Sequence, residues 1–170
     1  SAHTSVGVWS LKASYNYLDA TYQDEGQLFG GERDVQVKRG TRIAGLPEHT
    51  LRLFADLRST DKLTVGGTVV LTSKIVTQNN EDGMIADGVA GDASVKGYTL
   101  LNLHANYEAQ KGLEYFARIN NVFDGRYQSY GMLATSAFDA NGGLAPTTTI
   151  NRFVAPGAPR NFMVGLRYRF

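Results

Sequence analysis

The side chains that could do chemistry are few and widely separated along the chain. There is no cysteine, which excludes disulfide frameworks, thiolate zinc sites and cysteine nucleophiles. The three histidines, His3, His49 and His104, lie in different segments, without the short spacing that places two metal ligands on one element. No spacing of serine with histidine supports a hydrolase. The sequence therefore predicts no catalytic residue and no metal site.

Glycine-rich stretches do not indicate nucleotide binding either. Gly88 to Asp92 (GVAGD) and the glycine pairs beginning at Gly30 and Gly142 lack the following Lys and Ser or Thr of a phosphate loop, and no helical pattern follows them. The formal charge is +1, from 17 basic and 16 acidic residues, which is too small an excess for a general nucleic-acid surface. Nucleic acid is therefore not an expected partner.

The elements that must carry these residues are strands, because apolar and polar residues alternate in six segments. Between Leu101 and Tyr107, for example, apolar or aromatic residues alternate with Asn102, His104 and Asn106. The apolar face carries no charged residue in any of the six segments, and no long window has a helical stripe. The sequence predicts an all-β fold. The predicted strands lie near residues 7–18, 49–58, 62–73, 98–108, 112–127 and 160–170.

The connections between these strands alternate between two lengths. Ser59 to Lys62 and Glu108 to Gly112 are short turns, whereas Asp19 to Glu48, Ser73 to Gly97 and Gln128 to Pro159 are long and have the composition of solvated loops. In an antiparallel up-and-down meander, alternate connections lie at the same end of the sheet. All three long loops are therefore expected at one end, which is typical of outer-membrane barrels.

The alternation leaves open whether the uncharged face contacts lipid or a buried protein core. A soluble β-barrel carrier of an apolar ligand would bury Leu53 and Leu103 and expose Arg52 and Arg118. A membrane barrel would turn the leucines toward lipid and line a wet lumen with polar side chains. The loop asymmetry and aromatic residues near the strand ends favour the membrane barrel. These aromatic residues are Tyr15 and Tyr17 at one end, and Tyr107, Tyr115, Tyr168 and Phe170 at the other.

Six strands are too few to close a barrel of the known membrane type, which begins at eight strands. An open sheet would expose two unpaired edges to hydrocarbon, which is unfavourable. The chain is therefore interpreted as an antiparallel, transmembrane segment of a larger barrel. The charged residues placed on its lumen face by register are Arg52, Asp56, Arg58, Glu114 and Arg118.

Three stretches carry a resemblance to a known family. They are Gly45 to Leu53 (GLPEHTLRL), Tyr98 to Tyr127, which ends in NNVFDGRY, and Ala155 to Phe170, which ends in an aromatic residue. Together they resemble the C-terminal end of the β-barrel of TonB-dependent outer-membrane receptors. The resemblance implies that residues 1–170 form about six strands of a 22-stranded type of barrel. The GAPRNF sequence before the last strand resembles the corresponding sequence in the ferric-siderophore branch of this family.

The resemblance also implies a function and partners. The expected function is energy-dependent uptake of a ferric siderophore, or a similar bulky nutrient, across the bacterial outer membrane. The last strand would end at the periplasm, so that the three long loops lie outside the cell. The lipid bilayer and the ligand would be direct partners, TonB and a plug domain would act through an N-terminal part, and the barrel assembly machinery would engage the strand ending at Phe170. A passive porin or adhesin barrel would share the fold without a plug.

Ligand recognition would then fall to the outer loops. A ferric siderophore satisfies the coordination of its own iron, so the protein needs aromatic faces and complementary charge rather than metal ligands or a cofactor. The NNVFDGRY residues Asn120, Asn121, Phe123, Asp124 and Tyr127 are interpreted as structural, with polar side chains tying strand ends to loops and Phe123 packing. The candidate ligand contacts are Tyr22, Phe29, Arg33, Tyr127, Tyr130, Phe138, Arg152 and Phe153.

Overall fold

The computed structural model describes residues 1–29, 33–86, 88–139 and 141–170, and its regular elements are all β-strands. The all-β prediction is confirmed. No helix in these residues is long and apolar enough to cross a membrane. The strands are β1 (Ala2–Val6), β2 (Trp9–Tyr17), β3 (Gly26–Phe29), β4 (Asp34–Val37), β5 (His49–Arg58), β6 (Leu63–Thr72), β7 (Met84–Ala86), β8 (Val89–Ala90), β9 (Tyr98–Gln110), β10 (Leu113–Asn120), β11 (Gln128–Phe138), β12 (Leu144–Pro156) and β13 (Asn161–Tyr168).

Seven of these strands form one sheet within the described residues, in the order β1-β2-β5-β6-β9-β10-β13. Every neighbouring pair is antiparallel. Each strand therefore pairs with the main-sheet strand that precedes it in the chain, which is the predicted up-and-down meander. Three long segments, outer loop 1 (residues 18–48), outer loop 2 (73–97) and outer loop 3 (121–160), leave this sheet at the same end.

One face of the sheet is apolar across all seven strands. The register aligns Leu53 of β5 with Val69 of β6, and Val69 with Leu101 of β9, so that apolar side chains meet on one face. This face is uncovered, since Leu53 is 41% exposed and Leu103 40% exposed. The soluble carrier required both leucines to be buried, so that alternative is wrong. One aligned row of the face contains Val6, Trp9, Leu57, Val65, Ala105, Ala117 and Val164.

The opposite face is polar, as predicted, and carries a cross-strand charge pair. Arg167 Nη1 lies 3.6 Å from Glu114 Oε1 on the neighbouring strand. The guanidinium of Arg118 lies 5.6 Å from the centre of the Phe116 ring, two residues away on the same face. The two faces differ consistently in polarity from strand to strand. An apolar environment on one side of the sheet and water on the other side explain this difference.

One additional strand and two boundaries differ from the sequence prediction. A further strand, Ala2–Val6, pairs with β2. The predicted strand at 112–127 ends at Asn120, because Asn121 has a φ of +51°, in the left-handed region that stops an extended chain. The predicted turn from Glu108 to Gly112 is shorter, because β9 continues to Gln110 and Gly112 adopts a φ of +84°.

The outer loops contain most of the buried core of the described residues, which the prediction of solvated loops did not anticipate. Each loop contains a two-stranded hairpin: β3–β4 in outer loop 1, β7–β8 in outer loop 2 and β11–β12 in outer loop 3. The loops therefore hold regular structure of their own. The buried apolar residues are Val35, Val37, Ile75, Ala93, Val95 and Leu133.

Candidate functional site

The junction between β10 and outer loop 3 positions one wall of the candidate site. Asn121 is 4% exposed, and its side-chain amide donates to the carbonyl oxygens of Gly125 at 3.0 Å and Ala158 at 3.1 Å. The Asp124 carboxylate accepts the backbone N–H of Arg160 at 2.9 Å. Both polar side chains tie the strand end to the loop, as predicted. Phe123 was expected to pack, but it is 78% exposed, so that prediction is wrong for this chain.

Outer loop 2 lies between the other two loops and is bonded to both. Toward outer loop 1, the Gly45 N–H donates to the Val76 carbonyl oxygen at 3.0 Å. Toward outer loop 3, the Gln78 N–H donates to the Gly131 carbonyl oxygen at 3.0 Å, and the Leu133 N–H donates to the Gln78 carbonyl oxygen at 2.9 Å. The three loops therefore form one packed unit at the outer end of the sheet.

A buried ion pair joins outer loops 1 and 2. The Arg33 guanidinium donates to both carboxylate oxygens of Asp82, at 2.6 and 2.8 Å, and to the Asn79 carbonyl oxygen at 2.6 Å. The side chains of Arg33 and Asp82 are only 5% and 8% exposed. Arg33 was predicted as a ligand contact, but its buried position and these bonds favour a structural role.

Burial and hydrogen bonding shift the pKa values of the acids near this ion pair in opposite directions. Burial alone would raise the pKa of the Asp82 carboxyl, but hydrogen bonds from Arg33 and from the Met84 N–H outweigh it and hold the pKa below its ordinary 3.8. Burial raises the pKa of the adjacent Glu81 carboxyl. Burial, and then the charge of Glu81, also raise the pKa of Tyr22. Asp82 is thus the charged partner of Arg33.

A polar cleft opens where β9, outer loop 2 and outer loop 3 meet. Its volume is about 810 Å³, within the range of about 300–1,000 Å³ that is typical of small-molecule sites. Tyr98 shares the face of β9 that carries Asn102 and His104, so the cleft belongs to the polar side of the sheet. The residues that line it include Lys96, Tyr98, Asp124, Arg126, Tyr127, Arg152 and Pro156.

Two tyrosine rings form the aromatic part of this cleft. The ring centres of Tyr98 and Tyr127 are 4.5 Å apart, with an angle of 41° between the planes. Tyr127 is held from the other side by Gly157, whose N–H donates to the Tyr127 carbonyl oxygen at 2.8 Å. A Cβ at Gly157 would overlap the Tyr127 ring, so the glycine is needed for this close approach. The Tyr127 ring is therefore held between Tyr98 and the backbone at Gly157.

The predicted ligand contacts are only partly brought together. Tyr127 and Arg152 both line the cleft, whereas Phe29 (86% exposed) and Phe138 (55% exposed) lie on the hairpins of outer loops 1 and 3, outside it. Tyr130 donates its hydroxyl proton to Gln78 in outer loop 2.

Phe153 is 45% exposed and follows Arg152 in β12, so its side chain points to the opposite face of that hairpin. Tyr22 is partly buried near Glu81. Sequence reasoning missed Lys96, Tyr98 and Arg126. The signal for Tyr98 and Arg126 was their place at the two ends of the Tyr98 to Tyr127 stretch, next to the strand termini.

Other residues with chemical potential do not assemble into a site. Gly88 to Asp92 forms part of the β7–β8 hairpin, and Gly142 has a φ of +81° in the β11–β12 connection. Gly30 lies outside the described residues. In the ranges that the structure describes, no group of three or more His, Cys, Asp or Glu side chains is placed to hold a metal ion.

The fold and the cleft together define a class of protein, the membrane β-barrels. The chain forms part of the barrel wall, and its packed outer loops border the cleft. The family described as "TonB dependent receptor-like, beta-barrel" matches residues 2–122. The chain therefore belongs to this family, whose members are receptors and transporters of the bacterial outer membrane and not enzymes.

Two curated relatives are similar to the chain. The "Probable TonB-dependent siderophore receptor PiuA" of Acinetobacter baumannii is 25% identical over 136 residues, covering 79% of this chain and 17% of the relative. The "Ferric-pyoverdine BN7/BN8 receptor" of Pseudomonas putida is 24% identical over 165 residues, covering 95% of this chain and 15% of the relative. The chain thus spans less than one fifth of the length of these relatives.

Solved structures show the same fold. The siderophore receptor PiuA from Acinetobacter baumannii has a TM-score of 0.68 at 18% identity, covering 96% of this chain and 20% of that one. The ferric yersiniabactin uptake receptor FyuA from Yersinia pestis has a TM-score of 0.61 at 14% identity, covering 97% of this chain and 21% of that one. The chain therefore has the fold of a segment of these β-barrels and spans about one fifth of their length.

Proposed function

We propose that this chain is the C-terminal part, residues 1–170, of a receptor that takes up a ferric siderophore across the outer membrane. Membership of the TonB-dependent receptor family and two relatives named as siderophore receptors support this function. The uptake is energy-dependent: TonB and a plug domain act through other parts of the full-length protein. The chain itself supplies barrel wall, outer loops and part of the ligand site.

The observation that carries the proposal is the cleft on the polar face beneath the packed outer loops. It combines two packed tyrosine rings with basic side chains and lies on the polar face, at the end of the sheet from which the three outer loops leave. A chelate that carries its own iron needs such surfaces and no metal ligand from the protein. Iron is therefore cargo, and the receptor needs no resident cofactor.

The proposed ligand contacts follow from this placement. Tyr127 and Arg152 contact the chelate in the cleft, and Tyr22, Tyr130 and Phe153 contribute from the loops around it. Phe29 and Phe138, exposed on their hairpins, meet the ligand or other outer loops at the entrance. Arg33 acts indirectly by holding outer loops 1 and 2 together.

The other proposed partners use the remaining surfaces. The bilayer contacts the uncovered apolar face, and the barrel assembly machinery engages the terminal strand β13, which is followed by Phe170. Tyr168 and Phe170 form an edge-to-face ring pair, 5.0 Å between centres, at this end. Tyrosine is enriched at membrane–water interfaces, and girdles of aromatic residues flank the apolar band of membrane β-barrels.

Uptake of radioactive iron by cells that express the full-length receptor under iron limitation tests the function. We expect uptake from at least one siderophore in a panel of catecholate, hydroxamate and carboxylate chelates, and we expect it to stop when TonB is deleted. Diffusion of small sugars without TonB, together with no siderophore uptake, would instead indicate a passive porin. Iron uptake that persists without TonB would contradict the energy-dependent mechanism.

A further inference from the structure

We infer that the ligand of this cleft is an anionic ferric chelate whose iron is held by aromatic or carboxylate oxygens, and not a neutral chelate. This inference rests on the proposed siderophore function and adds the charge class of the substrate. Three basic side chains, Lys96, Arg126 and Arg152, line the cleft together with one carboxylate, that of Asp124.

The basic side chains are not neutralised by close ion pairs. Within the part of the chain that the structure describes, the salt bridges within 4.0 Å involve other residues, and none includes Lys96, Arg126 or Arg152. Lys96 and Arg126 are exposed. A cleft whose lining carries an excess of positive charge attracts anionic ligands.

Arg152 is oriented by neutral groups that leave its charge available. Its guanidinium donates to the Ser94 carbonyl oxygen at 3.1 Å and to the Gln128 side-chain oxygen at 3.3 Å. The planar fork is therefore held in place without a carboxylate in contact. Nη1 also donates to the Ala93 carbonyl oxygen at 3.4 Å, so the protons that remain for an anionic oxygen pair are on Nε and Nη2.

Two acids near these cations, Asp124 in the lining and Asp92 beside Arg152, are already engaged. The Asp124 carboxylate accepts the Arg160 N–H at 2.9 Å. The Asp92 carboxylate accepts hydrogen bonds from Ser94, which lower the pKa of Asp92, and the charges of Lys74 and Arg152 lower it further. Asp92 offsets part of the Arg152 field, but it does not line the cleft. The lining retains an excess of positive charge.

The tyrosine pair adds selectivity for flat ligand groups. Tyr98 and Tyr127 are fixed against each other and against Gly157. Aryl groups of a chelate can stack on such rings at a small entropic cost, because the rings are preorganised. Positive charge beside fixed aromatic rings matches a catecholate, phenolate or aryl-carboxylate chelate. An anionic lipid headgroup would approach from the opposite, apolar face of the sheet.

Equilibrium binding to the purified full-length receptor tests the inference with two probes of similar size. One is a synthetic hexadentate tris-catecholate ferric chelate, which is trianionic, and the other is a hexadentate tris-hydroxamate ferric chelate, which is neutral. We expect the wild-type receptor to prefer the trianionic probe. Lys96→Gln, Arg126→Gln and Arg152→Gln should each weaken its binding about three- to tenfold, while binding of the neutral probe changes less than about twofold.

Two further variants separate charge from folding. Arg152→Lys keeps the charge but loses the planar fork, so it should retain more affinity than Arg152→Gln. Lys62→Gln removes a positive charge at the turn between β5 and β6, at the opposite end of the sheet, and should leave binding of both probes unchanged. Tighter binding of the neutral probe, or equal effects of the variants on both probes, would overturn the charge assignment alone. Failure of the wild-type receptor to bind or import any ferric chelate would overturn the proposed function instead.

Discussion

His104 Nε2 lies 3.1 Å from Asp56 Oδ1, although a full strand separates the two residues. That strand is β6, and the residue in register with both is Gly66. A Cβ at Gly66 would overlap the Asp56 carboxylate and lie 2.8 Å from the Cε1 of His104 and from the Ala55 carbonyl oxygen. The contact across the polar face therefore depends on the missing side chain at position 66.

Gly66→Ala should destabilise the full-length receptor, because the added methyl group has no space between Asp56 and His104. We expect a loss of about 1–3 kcal/mol in the free energy of unfolding, measured by urea unfolding in lipid vesicles. Gly67→Ala is the matched control on the apolar face, where the Cβ would lie 3.1 Å from Leu103 Cδ2, the end of a side chain, and 3.3 Å from the Asn102 carbonyl oxygen. Equal losses of stability for Gly66→Ala and Gly67→Ala would show that replacing either glycine of β6 has this effect, and that the contact between Asp56 and His104 is not its cause.

Leu103→Arg should destabilise the barrel if the apolar face contacts lipid. A charge near the middle of the bilayer costs about 2–4 kcal/mol in barrels of this type. Asn106→Arg is the control, since position 106 lies on the polar face of the same strand, opposite Thr64 and Phe116. We expect little change for Asn106→Arg in the same unfolding assay. A change within experimental error for Leu103→Arg would contradict the facing assignment.

Asn121→Ala should loosen the junction between β10 and outer loop 3. The substitution leaves the Gly125 and Ala158 carbonyl oxygens and the Gly125 N–H without their side-chain partner. We expect a cost of about 1–3 kcal/mol in the same assay.

Asn121→Gly separates this cost from backbone strain, because glycine adopts the φ of +51° freely. It should lose the same side-chain bonds and remain destabilised. Asn120→Ala removes one hydrogen bond, to Asn161, and should cost only about 1 kcal/mol. If Asn121→Gly is as stable as the wild type, the contribution of Asn121 to stability comes from its backbone conformation and not from its side-chain hydrogen bonds.

The link between outer loops 1 and 2 should weaken in acid. The pKa of Asp82 is below 3.8 when the loops are closed, so the closed form binds fewer protons than an open form. Its stabilisation is complete above pH 3.8 and is lost as the pH falls through the lower pKa of the closed form. Glu81 acts in the opposite direction, because its raised pKa favours protonation in the closed form.

A nitroxide attached through Val89→Cys, in the β7–β8 hairpin, reports this opening by electron paramagnetic resonance. We expect the spectrum to become more mobile below pH 3.8 in the wild-type background. Asp82→Asn should be mobile at neutral pH, whereas Glu81→Gln should keep the closed spectrum there. An unchanged line shape for Asp82→Asn at neutral pH would show that the ion pair does not hold the loops together.

The two faces of the sheet could be predicted from the sequence because a strand alternates its side chains with an exact period of two. Once consecutive strands pair in antiparallel register, Leu53, Val69 and Leu101 must share one face. The first strand, Ala2–Val6, was missed because His3, Thr4 and Ser5 leave only two apolar residues in it.

The packing of the outer loops against one another could not be predicted, because their contacts join residues that are far apart in the sequence. Arg33 and Asp82 are separated by 49 residues, and neither stands out from the polar residues around it. The alternation of Val35 and Val37 with polar neighbours was a signal for β4, but Gly- and Asp-rich flanks obscured it. Arg126 follows the turn at Asn121, whereas Tyr98 begins β9, so the cleft joins two positions that lie 28 residues apart in the sequence.

The three outer loops pack together, which restricts how ligand preference can be transferred from one receptor to another by exchanging loops. Exchanging outer loop 2 alone with a related receptor would replace the segment whose Val76 and Gln78 bond to outer loops 1 and 3, and whose buried Val95 lies against Gly131. Chimaeric receptors are therefore expected to mature properly only when residues 18–48, 73–97 and 121–160 are swapped as a set. In such chimaeras, ligand selectivity would be transferred by the three outer loops together and not by one loop alone.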